Sequence, residues 1–322
     1  MTTQGPRMTL ASITSTRQTN RPLRIAVFGP PGIGKTTFAS QAPAPIFLCA
    51  EDGAAFIEAK QFPKPQSWFD VLDAVDTLKS EEHDFKTLVL DTLDAMESLC
   101  WEHVCRTQGG GKSRSIEDFG YGRGYQHAVE VWEKFLEKLE YLQTKRGMNV
   151  IMLAHAVARD HKDPDADPYK RWELKLHSKS ADVIAGWVDA VLFARPEIVT
   201  KKEGLKVRGF DTGERLLHTT STGAHAGKNR YSLPPVLPLS WADFWAAAQP
   251  ALRPAPPADP RELAKLKTDL ATLVPQLPDD KRQAVADAVE KAGDDPVKLR
   301  AFLKRVEAIL DSMAPHAAAA NA

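Results

Sequence analysis

The stretch Gly29-Pro30-Pro31-Gly32-Ile33-Gly34-Lys35-Thr36 decides how the rest of the chain is read. It satisfies G-x-x-x-x-G-K-[ST] and falls between a run at 23–28 that is apolar but for Arg24 and a helical pattern that begins near Gly34, the context the motif needs. Glycine lets the backbone turn tightly, so that successive N–H groups and the helix N-terminus converge on phosphate oxygens. The expected cradle is Gly29, Pro30, Pro31, Gly32, Ile33, Gly34, Lys35, Thr36 and the adjoining Thr37. In it Lys35 is expected to reach the β and γ phosphates of a nucleotide and the Thr36 hydroxyl to coordinate Mg²⁺.

Outward from the cradle, the runs at 46–50 and 150–154 are apolar throughout, and those at 87–90 and 188–194 are so apart from Thr87 and Asp189, as parallel strands covered on both faces are. Helical patterns lie between them at 68–78, 93–105 and 124–145, the last with Val129, Trp132, Leu136, Leu139 and Leu142 on one stripe. This alternation predicts an α/β core, a mainly parallel sheet with helices on both faces. Residues 197–208 and 214–220 read as added antiparallel strands. The expected organisation is a flexible arm over 1–20, a core over 21–249, a proline-rich linker over 250–260, a small helical domain over 261–314 and a disordered tail over 315–322. Asp295 before Pro296 is a helix-start signal inside the helical part.

Composition narrows the function classes. The chain has 322 residues, of which 43% are apolar, and its 42 Lys plus Arg balance 42 Asp plus Glu. The molecule as a whole offers no field that would draw nucleic acid or a membrane surface, so any DNA affinity must come from local patches. The apolar runs fall well short of the roughly 20 residues that cross a bilayer. The first twenty residues contain no continuous apolar segment, so a cytoplasmic location is expected, in a host's cytoplasm if the gene is a phage's. Cys49, Cys100 and Cys105 form no even disulfide set and read as reduced thiols.

Three polar residues stand where strands end. Asp91 closes the apolar run at 87–90 and is placed to hold Mg²⁺ through its water shell. Glu51 follows the run at 46–50 and faces the crevice in which α/β sheets bind ligands, either to orient and deprotonate an attacking water or to serve as a solvated or capping acid. His155 follows the run at 150–154, either sensing a γ phosphate or lying on the surface. Two segments mix basic and aromatic residues, a combination suited to single-stranded nucleic acid. One runs over 107–125 with Lys112, Arg114, Phe119, Tyr121, Arg123 and Tyr125; the other runs over 159–179 with Arg159, Lys162, Lys170, Arg171, Trp172, Lys175 and Lys179. Asp160, Asp163, Asp165 and Asp167 in the second oppose a phosphate chain, and plain surface loops are the alternative for both.

Taken together, the cradle, Glu51 after the second strand, Asp91 at the end of the third and His155 at the end of the fourth resemble the RecA-like ATPases. The resemblance implies ATP and Mg²⁺ as ligands and gives Glu51 the role of activating water. The chain differs in carrying His155 where RecA has glutamine. The stretches at 116–125, 149–155, 174–179 and 228–231 are similar to the phage Sak-type single-strand annealing proteins, a likeness that covers about residues 20–245. Lys228-Asn229-Arg230 also resembles the K-N-R element of RadA-type and DnaB-type ATPases, which implies that Lys228 and Arg230 enter a neighbouring subunit's ATP site; a solvated basic turn is the alternative. Tyr231-Ser232 follows where those families often have an aromatic residue and glycine, so the match is partial.

The expectation from all of this is an ATP-dependent protein of phage recombination that binds single-stranded DNA and works as a homo-oligomeric ring or filament. Its C-terminal helices are candidates for contact with a replication or single-strand-binding protein. The alternatives are a helicase or translocase motor, which strand unwinding would reveal, a P-loop kinase of small molecules, and a non-catalytic ATP-binding scaffold.

Overall fold

The computed structural model describes residues 21–52, 57–110, 113–163, 165, 167–203, 206–252, 260–293 and 296–313. The expected arm at 1–20, the tail at 315–322, Lys112, Asp295 and residues 253–259 of the linker lie outside them. Contacts divide the chain into two units, 1–252 and 253–322.

In the first unit the elements run β1 (Arg24–Gly29), α1 (Lys35–Ser40), β2 (Pro45–Cys49), β3 (Lys60–Gln61), α2 (Trp68–Ser80), β4 (Thr87–Asp91), α3 (Leu93–Gln108), α4 (Arg123–Arg146), β5 (Asn149–His161) and β6 (Tyr169–Leu174). They continue with α5 (Ser178–Trp187), β7 (Ala190–Glu203), β8 (Lys206–His218), β9 (Lys228–Asn229), β10 (Val236–Pro238) and α6 (Trp241–Leu252). The sheet order is β10-β8-β7-β1-β5-β4-β2-β3, and the run from β7 to β3 is parallel. Successive side chains point to opposite faces of a strand, and both faces of this sheet are covered. Ala26, Phe28, Leu88, Leu90, Val150 and Met152 pack with α2 to α5 on one side. Ile25, Val27, Val89, Ile151 and Leu153 pack with α1 and α6 on the other. The continuous apolar runs follow directly from this double burial.

β1 lies between β5 and β7: the connection out of β1 leads to β2 on the β5 side, the later one through α5 leads to β7 on the other, and a crevice opens at the carboxyl ends of the strands. The segment over 159–179, expected as a loop, is instead largely a β-hairpin. β5 continues past the sheet and pairs antiparallel with β6 from Ala156–Leu174 to His161–Tyr169. The last parallel strand starts at Ala190 because the Val188 N–H closes α5 on the Ile184 carbonyl. Pro250, assigned to the linker by composition, lies inside α6; that helix buries Trp241, Phe244 and Ala248, and this packing outweighs the proline.

The second unit has α7 (Pro260–Leu273), α8 (Asp279–Ala292) and α9 (Pro296–Met313) around Leu266, Leu270, Leu277, Leu299 and Val306. It forms the small helical module expected after the linker.

Candidate nucleotide site

Gly29 ends β1, and a short turn leads to α1, whose N-cap is Gly34. Gly32 and Gly34 have φ of 74° and 107°, values that a side chain would strain, so these two positions need glycine. The Lys35 side chain folds back over the turn, and its Nζ donates to the carbonyls of Gly29 and Pro30, each at 3.0 Å. Burial lowers the Lys35 pKa, opposed by the nearby carboxylates of Asp91, Asp94 and Glu51. Lys35, Thr36, Thr37, Pro31, Gly32 and Gly34 line a cleft of about 480 Å³ together with Glu51, Asp91, His155 and Arg215.

The acidic wall comes from the neighbouring strand ends. Asp91 ends β4, 5% exposed, and accepts a hydrogen bond from the Thr36 hydroxyl at 2.8 Å. Burial raises its pKa against the opposing pull of Thr36 and Lys35. The Asp91–Thr92 peptide is cis. Glu51, just beyond β2, accepts from the Thr92 hydroxyl. His155 lies 3.8 Å from Glu51 and is gripped by Asp94, whose carboxylate receives the His155 backbone N–H at 3.0 Å and faces its Nδ1 at 2.9 Å. Burial alone would raise the Asp94 pKa, but these bonds hold it below the usual carboxylate range. Glu51, Asp94 and His155 bring ligand atoms within 4.8 Å of one another, and the Lys175 ammonium stands 3.6 Å from Asp94. The expected residues Lys35, Thr36, Asp91, Glu51 and His155 therefore meet in one cleft.

Lys228 and Arg230 do not join it within their own chain. Asn229 pairs with Ala190, which is level with Ile25, four residues before Gly29 and so roughly 13 Å from it along the strand. There Lys228 Nζ donates to the Ala185 and Gly186 carbonyls at the end of α5, at 2.6 and 3.0 Å. Arg230 meets Asp189 at 3.2 Å with its side chain 58% exposed.

The two basic-aromatic segments separate into engaged and free side chains. In the first, Phe119 packs against the core, and the Tyr125 ring stacks on His177 at 3.8 Å with its hydroxyl on Glu117. Arg123 bonds the Phe119 carbonyl, Arg114 is exposed, and Tyr121 stands fully exposed with φ of 50° between two left-handed glycines. In the hairpin, Arg159 bonds the Leu176 carbonyl, Lys170 pairs with Asp160 at 3.1 Å, and Arg171 reaches Ser221. Trp172, 40% exposed, stacks over Phe193 at 6.1 Å. Lys162, Lys175 and Lys179 are exposed.

Sequence reasoning missed Asp94 and Arg215. Asp94 was hidden as one more acid at a helix start. Arg215 lies in β8, and its Nη1 donates to the Ile33 carbonyl at 3.1 Å across a separation of 182 residues that carries no local signal.

A phosphate cradle between strand and helix, with a serine- or threonine-type hydroxyl bonded to a strand-end aspartate, defines a P-loop nucleoside triphosphatase. The sequence model of the AAA_24 family, described as an AAA domain, matches residues 21–231, and the chain belongs to that family. A SPbeta prophage-derived uncharacterized protein, YorG of Bacillus subtilis (strain 168), is 29% identical over 143 residues, a match that spans 43% of this chain and 42% of that protein. The chain thus matches less than half of its relative's length. A crystal structure of the RadB recombinase superposes with a TM-score of 0.35 at 14% identity, over 62% of this chain and 80% of that one. No helix among the described residues is long and apolar enough to cross a membrane.

Proposed function

We propose that this protein is an ATPase of phage recombination that binds single-stranded DNA and lodges ATP between subunits. The observation that carries the reading is the course of β5: it brings His155 to the cleft beside Glu51 and then runs on as the hairpin with Arg159, Lys162, Lys170, Arg171 and Trp172. One continuous strand thus joins the nucleotide site to an arm on which these basic and aromatic side chains stand among a similar number of acidic ones. The prophage origin of the similar Bacillus protein supports the phage setting.

The cleft fits a magnesium nucleotide. Gly32 and Gly34 take left-handed φ in the turn and bring no side chain to it, and the Thr36 hydroxyl and Asp91 carboxylate are already juxtaposed at 2.8 Å. Bound Mg²⁺ would neutralise part of the phosphate charge. Thr36 and Asp91 would hold it, Lys35 would balance the β and γ phosphates, and Glu51 would take a proton from the attacking water. Arg230, more than half exposed, is the member of its pair that reaches a neighbouring subunit, while Lys228 caps α5.

Fluorescence anisotropy of a labelled single-stranded oligonucleotide tests the DNA part. The expected result is salt-sensitive binding that responds to ATP and weakens when Lys162 and Arg171 are neutralised, each lost phosphate contact flattening the log–log salt slope by about 0.7. Absence of binding in every nucleotide state would remove DNA from the account and leave small-molecule phosphorylation as the reading to pursue.

A further inference from the structure

We infer that Arg215 is a second phosphate-binding cation of the nucleotide site, supplied by the same chain from β8. This rests on the reading of the cleft as a nucleotide site and adds to it a residue outside the loop motif.

The placement follows from strand geometry. β8 pairs with β7, Leu217 opposite Ala194 and Arg215 opposite Pro196. Ala194 is in turn pressed against Gly29, the last residue of β1, so Arg215 stands just beyond the strand ends, level with the phosphate turn. Side chains two apart share a face of a strand, and Leu217 packs with Ile33 and Phe38 on the face that carries α1. Arg215 is thereby aimed at the loop and not at the opposite face of the sheet. Its Nη1 donates to the Ile33 carbonyl at 3.1 Å and would lie equally near a side chain at Gly34. It lines the same cleft as Lys35 and Thr36.

Apart from Arg215, the residues lining the cleft carry one full positive charge, that of Lys35, against the carboxylates of Glu51 and Asp91. Among the described residues no carboxylate lies within ion-pair distance of Arg215. A guanidinium has five donors, and one hydrogen bond to Ile33 leaves the fork free to bind phosphate oxygens in a planar, two-point manner. The bond to Ile33 fixes the guanidinium against the loop before any ligand arrives.

The test is binding of a fluorescent ATP analogue and of its diphosphate counterpart with Mg²⁺, alongside the ligand-induced rise in melting temperature, for wild type, Lys35→Ala, Arg215→Ala, Arg215→Gln and Arg215→Lys. Wild type is expected to bind and Lys35→Ala to fail, which checks the nucleotide reading itself; equal, negligible binding by both would sink that reading and this inference with it. Given wild-type binding, Arg215→Ala and Arg215→Gln are each expected to lose on the order of 10-fold or more in affinity, since charge-assisted bonds are worth about twice neutral ones. The loss should be larger for the triphosphate, and Arg215→Lys should recover part of it. Glutamine keeps a donor for Ile33 without the charge. Wild-type affinity in Arg215→Gln would therefore show that the side chain only braces the loop, and would overturn the inference. An equal loss for tri- and diphosphate would overturn it as well. Unchanged melting temperatures without ligand separate either outcome from misfolding.

Discussion

Gly29 ends β1 so close to β7 that a methyl group there would stand 2.3 Å from the Ala194 carbonyl oxygen. Nothing flexible is available to give way, because the obstructing atom belongs to a buried strand. Gly29→Ala should therefore cost at least about 2 kcal/mol of stability, read as a lower urea midpoint, even though its φ is ordinary; an unchanged midpoint would contradict the packing described here. The loop motif announces this glycine for its phosphate role, whereas the structure adds a steric one that a motif cannot express. Lys35, Thr36 and Asp91 were legible because their chemistry is written at fixed offsets from an apolar strand. Asp94 and Arg215 were not, since one looks like an ordinary helix-start acid and the other meets its partner only through the sheet.

Among the elements, the start of β7 is tied by charge. Asp189 accepts from Arg24 through two bonds of 3.1 Å and also meets Arg230 and the Tyr231 hydroxyl. The segment at 228–231 thus has a structural use in its own chain, which its resemblance to an inter-subunit element did not suggest. Asp189→Asn would leave the buried Arg24 guanidinium without its counter-charge, at a cost of about 3–5 kcal/mol near neutral pH, measured by denaturant unfolding. Burial alone would raise the Asp189 pKa, but Arg24, with Arg21 and Arg230 behind it, prevails and depresses it. A depressed folded pKa means that the stabilisation is complete above the unfolded value of about 3.9 and fades as pH falls through the folded one. The wild type should lose this increment only under acid conditions, and the variant should show no such loss. The parallel strands were readable because burial on both faces makes them continuously apolar. The β5–β6 hairpin was not, since its charged and aromatic residues, such as Arg159, Lys170 and Trp172, face solvent or side-chain partners and leave no clean alternation.

For the whole molecule, balanced charge leaves function to local arrangement. The first unit carries the cleft and the β5–β6 hairpin on one sheet, and the helical unit has a core of its own. Family membership establishes the nucleotide-binding class, and the proposed coupling of hydrolysis to DNA belongs to the assembled protein and not to any one residue. The measurement that tests it most directly is phosphate release from ATP by wild type and Glu51→Gln, each with and without single-stranded DNA. The account predicts wild-type turnover that rises with DNA and a loss on the order of 10²- to 10⁴-fold in Glu51→Gln while nucleotide binding persists. Turnover indifferent to DNA and unchanged by the substitution would contradict it.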